Sequence, residues 1–228
     1  MTNHPGSQSL ARLLLIAGAI GPPLFIVAFS IEGALRPDYS ALRYPVSSLS
    51  IGAGGWAQQA NFIVTGLLIA ALAAGLRLSL RPTPGSTWGP IFIAVVGLGL
   101  IGAGVFSTDP VFGYPPGHPL LIGQVTTHGH LHDLFSTFVF LGLPVACFIF
   151  TRRFRRLGEG RWAIYSLATG AGMPLLFIVS AVGFAQSPGW VDVAGLLQRL
   201  TIGVGWMWMM LLAVHVLRRG SRTSSLDE

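Results

Sequence analysis

The sequence predicts an all-α integral membrane protein, a polytopic chain with six transmembrane helices in one bundle and both termini in the cytoplasm. Three observations carry this. Hydrophobic residues make up 52% of the 228 and charged residues only 10%, where soluble domains run near a quarter charged. The apolar residues gather into six runs, each long enough to cross about 30 Å of hydrocarbon as helix. Arginine supplies all fourteen basic residues, and these collect at the ends of the runs, mostly on one side.

In chain order the predicted spans are 13–31, 61–80, 88–107, 130–150, 162–184 and 197–217. The first could pass for the apolar core of a signal peptide. It is long, no small-x-small cleavage site follows, and five more spans come after it, so it reads as a helix that stays. Pro22-Pro23, Pro144 and Pro174 fall inside the first, fourth and fifth spans, where a missing N–H is expected to kink the helix. The third span contains Gly97-Leu98-Gly99-Leu100-Ile101-Gly102, a literal G-x-G-x-x-G. A dinucleotide site would need a strand before it; inside an apolar run the glycines read as a helix-packing surface. Residues 1–220 form one domain in this reading, and 221–228 a disordered cytoplasmic tail.

The connections alternate in charge. Eleven arginines (at 12, 77, 81, 152, 153, 155, 156, 161, 218, 219 and 222) flank one side of the spans, against Arg36, Arg43 and Arg199 on the other. The positive-inside rule then places the first set in the cytoplasm of a multi-pass cell (plasma) membrane protein. The formal charge of +6 does not indicate nucleic acid, because the arginines are scattered over segment ends rather than gathered on one face. The single cysteine, Cys147, lies deep in an apolar run; it excludes an intrachain disulfide and a cysteine-based zinc site.

The outward side is made of the longer loops, and the polar chemistry gathers there. Five of the eight acids (Glu32, Asp38, Asp109, Asp133 and Asp192) and His118, His128, His130 and His132 fall on it. In the first loop Arg43 and Ser47 are candidates for a common site; alternatively Arg43 pairs with Asp38. Tyr39, Tyr44 and Trp56 suit an interfacial aromatic belt. Asp109-Pro110 leaves the third span on the face where the histidines enter the fourth. It is either a turn former or a partner for histidine. Arg199, near the outer end of the sixth span, asks for an acidic partner; Asp192, Asp109, Asp133 and Glu32 are the candidates.

The densest cluster is Thr127-His128-Gly129-His130-Leu131-His132-Asp133. On a helix His128 and His132 share a face as an i,i+4 pair, while His130 points elsewhere. Two imidazoles at that spacing can hold one divalent metal such as zinc, and Asp109 would complete three protein ligands with an open position for water. Asp109, His128 and His132 are thus the candidate metal and catalytic residues. Arg43, Ser47, Tyr114 and Arg199 are the candidate substrate-binding residues. A non-metal polar network and plain interfacial decoration are the competing readings, and no H-E-x-x-H supplies a resident base.

In motif order the chain resembles a known family. Tyr44-Pro45-Val46-Ser47-Ser48-Leu49-Ser50, Gly55-Trp56 with Asn61-Phe62 and Thr65-Gly66, Gly104-Val105-Phe106 with Asp109-Pro110, Tyr114-Pro115, and His128-Gly129 with His132-Asp133 look like the prokaryotic six-helix membrane family known as domain of unknown function 998. The resemblance spans nearly the whole chain. It implies fold and membrane location, and carries no activity or catalytic residue with it.

Three functions compete. The first is a metal-dependent hydrolase or transferase acting on a lipid-like substrate, with arginine for a phosphate or carboxylate group. The second is a non-catalytic accessory or sensor subunit that binds a membrane protein partner through the outward loops. The third is a small-solute or proton-coupled transporter, which the scarcity of polar residues near the midplane disfavours. In all three the surrounding partner is the lipid bilayer.

Overall fold

The computed structural model describes residues 5–80, 85–111, 113–117 and 125–224. Six helices are long and apolar enough to cross a membrane, and among the described residues no strand is formed. They are α1 (Pro5–Leu35), α2 (Gly55–Ser79), α3 (Trp88–Val105), α4 (Thr127–Arg156), α5 (Gly160–Phe184) and α6 (Ala194–Ser224). Most extend beyond the predicted spans. Hydropathy marks the stretch that lies in hydrocarbon, whereas the backbone keeps its hydrogen bonds for a further turn or two until a cap or turn takes them over. α1 runs through Pro22 and Pro23, α4 through Pro144 and α5 through Pro174 without a break. α6 continues to Ser224; the rest of the expected tail, 225–228, lies outside the described residues.

Each helix packs on its neighbour in sequence, and α1 packs against α6, so the six close into a ring. The link between α4 and α5 is only residues 157–159, which forces those long helices antiparallel. An even number of crossings returns the C-terminus to the end of the bundle where the chain began. We call this the tail end; the opposite, loop end carries residues 36–54, 106–111, 113–117, 125–126 and 185–193.

Close helix approach rests on glycine where neighbouring backbones meet. A Cβ on Gly66 of α2 would stand 2.7 Å from the Gly97 carbonyl of α3, and one on Gly97 would stand 2.8 Å from that of Gly66. One on Gly99 would stand 2.7 Å from the Phe135 carbonyl of α4, and one on Gly102 would fall on the Phe135 ring. The glycine-rich run of α3 is therefore a two-sided packing surface, α2 on one side and α4 on the other. Inside the ring lie Leu72, Val96, Leu143, Cys147, Phe150, Met173 and Trp208, all fully buried.

At the loop end the first loop is tied down at both sides. Arg36 donates to the carbonyls of Leu49 and Ile51, each at 2.8 Å, and to Glu32 at 2.7 Å. It thereby fixes a short 3-10 turn, Val46–Ser50, against α1. Gln198 of α6 accepts from the Val46 amide at 2.9 Å, and the Leu196 amide donates to Leu42 at 3.0 Å. At the tail end Glu159 binds both His215, at 2.7 Å, and Arg219. The Trp162 ring lies on the His215 imidazole with centroids 4.4 Å apart.

Candidate functional site

The junction of α3 with α4 is built on backbone groups that helix ends leave unpaired. α3 stops at Val105, so its last carbonyls have no helical donor. His132 supplies one: its Nδ1 lies 2.8 Å from the Phe106 carbonyl and 3.0 Å from that of Ala103. A carbonyl only accepts, so Nδ1 carries the proton, and in the neutral ring Nε2 is left as an acceptor. His132 is buried, with its ring edge on Phe62.

Asp109 does the complementary work at the start of α4. Its two carboxylate oxygens accept from the amide and the hydroxyl of Thr126, both at 2.7 Å. Thr126 in turn caps the helix, its Oγ1 accepting from the Gly129 amide at 3.1 Å. A carboxylate here also faces the positive end of the helix dipole. Gly129 has no side chain because a Cβ there would land on the Asp109 carboxylate.

The expected metal set is not assembled among the described residues. Asp109 turns both carboxylate oxygens to Thr126, and His132 turns Nδ1 to α3. His128 is exposed with its ring edge on Phe106. Among the described residues no three His, Cys, Asp or Glu side chains come together to share a metal ion. The expected Asp109–histidine contact is an Asp109–Thr126 contact instead. His130 is exposed, as the helical spacing implies, and His118 lies outside the described residues.

The arginines are corrected as well. Arg199 meets no carboxylate among the described residues. It donates to the carbonyls of Tyr44 and Gly195, each at 3.0 Å, and to the Tyr39 hydroxyl. Its guanidinium also covers the Phe29 and Tyr39 rings. Tyr39 in turn donates its own O–H to the Pro45 carbonyl at 3.0 Å. Burial raises the Tyr39 phenol above its usual value, with Arg199 pulling the other way, so it is a neutral phenol in this chain of bonds. Arg43 does not pair with Asp38: its nearest acid is the exposed Asp192, at 3.8 Å. Tyr114 is buried in a trio of rings, 4.9 Å from Tyr44 and 5.4 Å from Tyr39. Tyr114 and Arg199 therefore hold the loops together, Arg43 adds only a long ion pair to an exposed acid, and none of the three lines the cavity with Ser47.

Behind the α3–α4 junction lies a cavity of about 330 Å³. Its walls come from all six helices and from the loop-end segments: Phe25 and Phe62, Val46 and Ser47, Leu100 and Thr108, His132 and Ser136, Phe177, Ile202 and Trp206 among them. From Ala194 to Trp206 along α6 is about 18 Å at 1.5 Å per residue, so the cavity descends from the loop end to near the middle of a bilayer. Most of the wall is apolar. The polar groups are His132, Asp133, Ser136 and Thr137 on successive turns of α4, with Ser47, Thr108 and Gln198 from elsewhere. The Trp206 indole Nε1 is buried without a partner, an unmet donor that costs about 1–3 kcal/mol.

Of the seven residues expected at a site, His132 and Ser47 line this cavity and Asp109 positions the helix that carries His132. Ser136 was the reachable omission, since it stands one turn beyond His132 on the same face. Phe25, Phe62 and Trp206 are indistinguishable in sequence from lipid-facing aromatics.

No curated protein and no solved structure is similar enough to match the chain. A family model does match, over residues 19–215, described as protein of unknown function (DUF998). With its six apolar helices and the ordered loop-end motifs, the chain belongs to the DUF998 family of membrane proteins.

Proposed function

We propose that this protein binds a lipid-like amphiphile in the loop-end cavity, with His132 as the polar contact, and that the loop end is the extracytoplasmic face of a plasma membrane. The observation that carries the reading is the pairing of an apolar cavity of ligand size with one buried imidazole held in a single tautomer. Ligand pockets are of this kind, apolar walls with a few placed polar groups, at about 300–1,000 Å³. The arginine asymmetry between the two ends supports the orientation.

A second reading, a metal-independent hydrolase or transferase acting on the same ligand, has one specific support. With Nδ1–H fixed on the α3 carbonyls, Nε2 is the nitrogen of His132 left to act as a base, and Ser136 lines the same cavity one turn further on. This is the positional logic of a hydroxyl nucleophile with an oriented base.

The test uses the full chain purified in mild detergent and read by native mass spectrometry. His132→Asn keeps an amide donor near the Nδ1 position and deletes the Nε2 acceptor. The expected result is a bound amphiphile on the native chain that is depleted on His132→Asn at unchanged thermal stability. A native chain that carries no amphiphile and takes none up from added lipid refutes the proposal. Release of a cleaved ligand, lost in Ser136→Ala, selects the enzymatic reading.

A further inference from the structure

The most exposed lining of the cavity lies along one seam, while Ser47, Thr108 and Val111 at the loop end are half-buried. Among the described residues Asp133, Thr137 and Ala181 are the lining residues of the exposed class, and all three belong to α4 or α5. The lining side chains of α1, α2, α3 and α6 (Phe25, Phe62, Leu100, Ala103, Gln198, Ile202 and Trp206) are all buried. Phe140 of α4 and Phe177 of α5 also line the cavity and stack at 4.2 Å across the same seam. They form a sill beneath the exposed stretch. Because α4 and α5 are ring neighbours in a membrane, this opening faces lipid. At about 330 Å³ the cavity takes a head and the first part of a chain, and the remainder has to leave through the seam.

Charge narrows the head group. No arginine lines the cavity among the described residues, and residues 112 and 118–124 contain neither Arg nor Lys. Of the three loop-end arginines, Arg36 is engaged with Glu32 and two carbonyls and Arg199 with carbonyls and Tyr39; Arg43 has only the 3.8 Å ion pair with exposed Asp192 and a buried Nε without a partner, and it does not line the cavity. Among the described residues the one charged side chain in the lining is Asp133, at the exposed rim. A phosphate or carboxylate would be desolvated beside a like charge. A cationic head would be desolvated against a mostly apolar wall whose one carboxylate among the described residues stands at the exposed rim, with none in the buried part. A hydroxyl fits: it donates to His132 Nε2 and accepts from Ser136. A ligand oxygen reaching Trp206 would also relieve the unmet indole N–H.

Resting on the ligand-binding reading above, we infer that the ligand is a membrane lipid with an uncharged, hydroxyl-bearing head, and that it reaches His132 sideways from the bilayer between α4 and α5. The experiment is competition on the full chain in detergent with three probes of equal chain length: monooleoylglycerol, oleoyl lysophosphatidic acid and oleylamine. Ala181→Trp closes the seam at an exposed position, and Leu175→Trp, on the same helix at 65% exposure but outside the lining, is the control. Expected are a preference for monooleoylglycerol of about tenfold or more over both charged probes, a comparable loss in Ala181→Trp, and no change in Leu175→Trp. Equal or tighter binding of either charged probe overturns the head-group assignment while leaving the cavity reading intact. Undiminished binding to Ala181→Trp overturns the lateral route. If none of the three probes binds, the ligand-binding reading itself fails and takes this inference with it.

Discussion

The Asp109 carboxylate and the Gly129 backbone fit against each other so closely that any Cβ at Gly129 would occupy the position of the acid. The contact joins the loop leaving α3 to the first turn of α4, and it sets where His132 stands. Gly129→Ala should therefore destabilise the chain by about 1–3 kcal/mol through overpacking. Asp109→Ala should cost about 1–2 kcal/mol through the lost cap and dipole partner. Thermal unfolding in detergent measures both. If Asp109 were a metal ligand, its loss would instead change bound metal, which elemental analysis reads directly.

The two nitrogens of His132 separate structure from binding. His132→Gln retains an amide near Nε2 and abandons the Ala103 and Phe106 carbonyls, so it should lose about 1–3 kcal/mol of stability. His132→Asn should stay close to native stability and lose the ligand. Equal stability of the two variants would mean that the α3 carbonyls do not depend on this imidazole.

Arg199 is a clamp of three hydrogen bonds and two ring faces, a geometry that a lysine ammonium cannot reproduce. Arg199→Lys is expected to cost about 1–3 kcal/mol, whereas Arg43→Ala, whose partner Asp192 is exposed, should change stability by no more than about 0.5 kcal/mol. Comparable effects of the two substitutions would contradict the assigned roles.

The Tyr39 phenol in the same clamp titrates higher in the folded chain than its ordinary value of 10.0. The folded state thus holds that proton more tightly than the unfolded one. Its contribution to stability is complete below pH 10 and declines as pH rises through the raised folded value. Alkaline unfolding of Tyr39→Phe should lack that component.

Topology can be read with one background thiol to consider, because Cys147 is fully buried. In intact cells Asp192→Cys should react with a membrane-impermeant maleimide, and Arg155→Cys should react only after permeabilisation. The reverse pattern would invert the proposed orientation and put the cavity at the cytoplasmic face.

The sequence by itself determined the membrane class, the number of spans and the gathering of polar residues at one end. Those follow from hydropathy and charge, which each segment carries independently of its neighbours. It also marked the start of α4 as the place of interest, since histidines and a carboxylate at a helix end are conspicuous there. Only the tertiary structure decided their partners. His132 and Arg199 are satisfied by backbone carbonyls, and Asp109 by a threonine amide and hydroxyl. Carbonyls exist at every residue and leave no trace in a side-chain pattern, so a search for acids and metals overlooks them. The cavity was equally hidden, because Phe25 and Trp206 look like any lipid-facing aromatic until the ring closes and turns them inward.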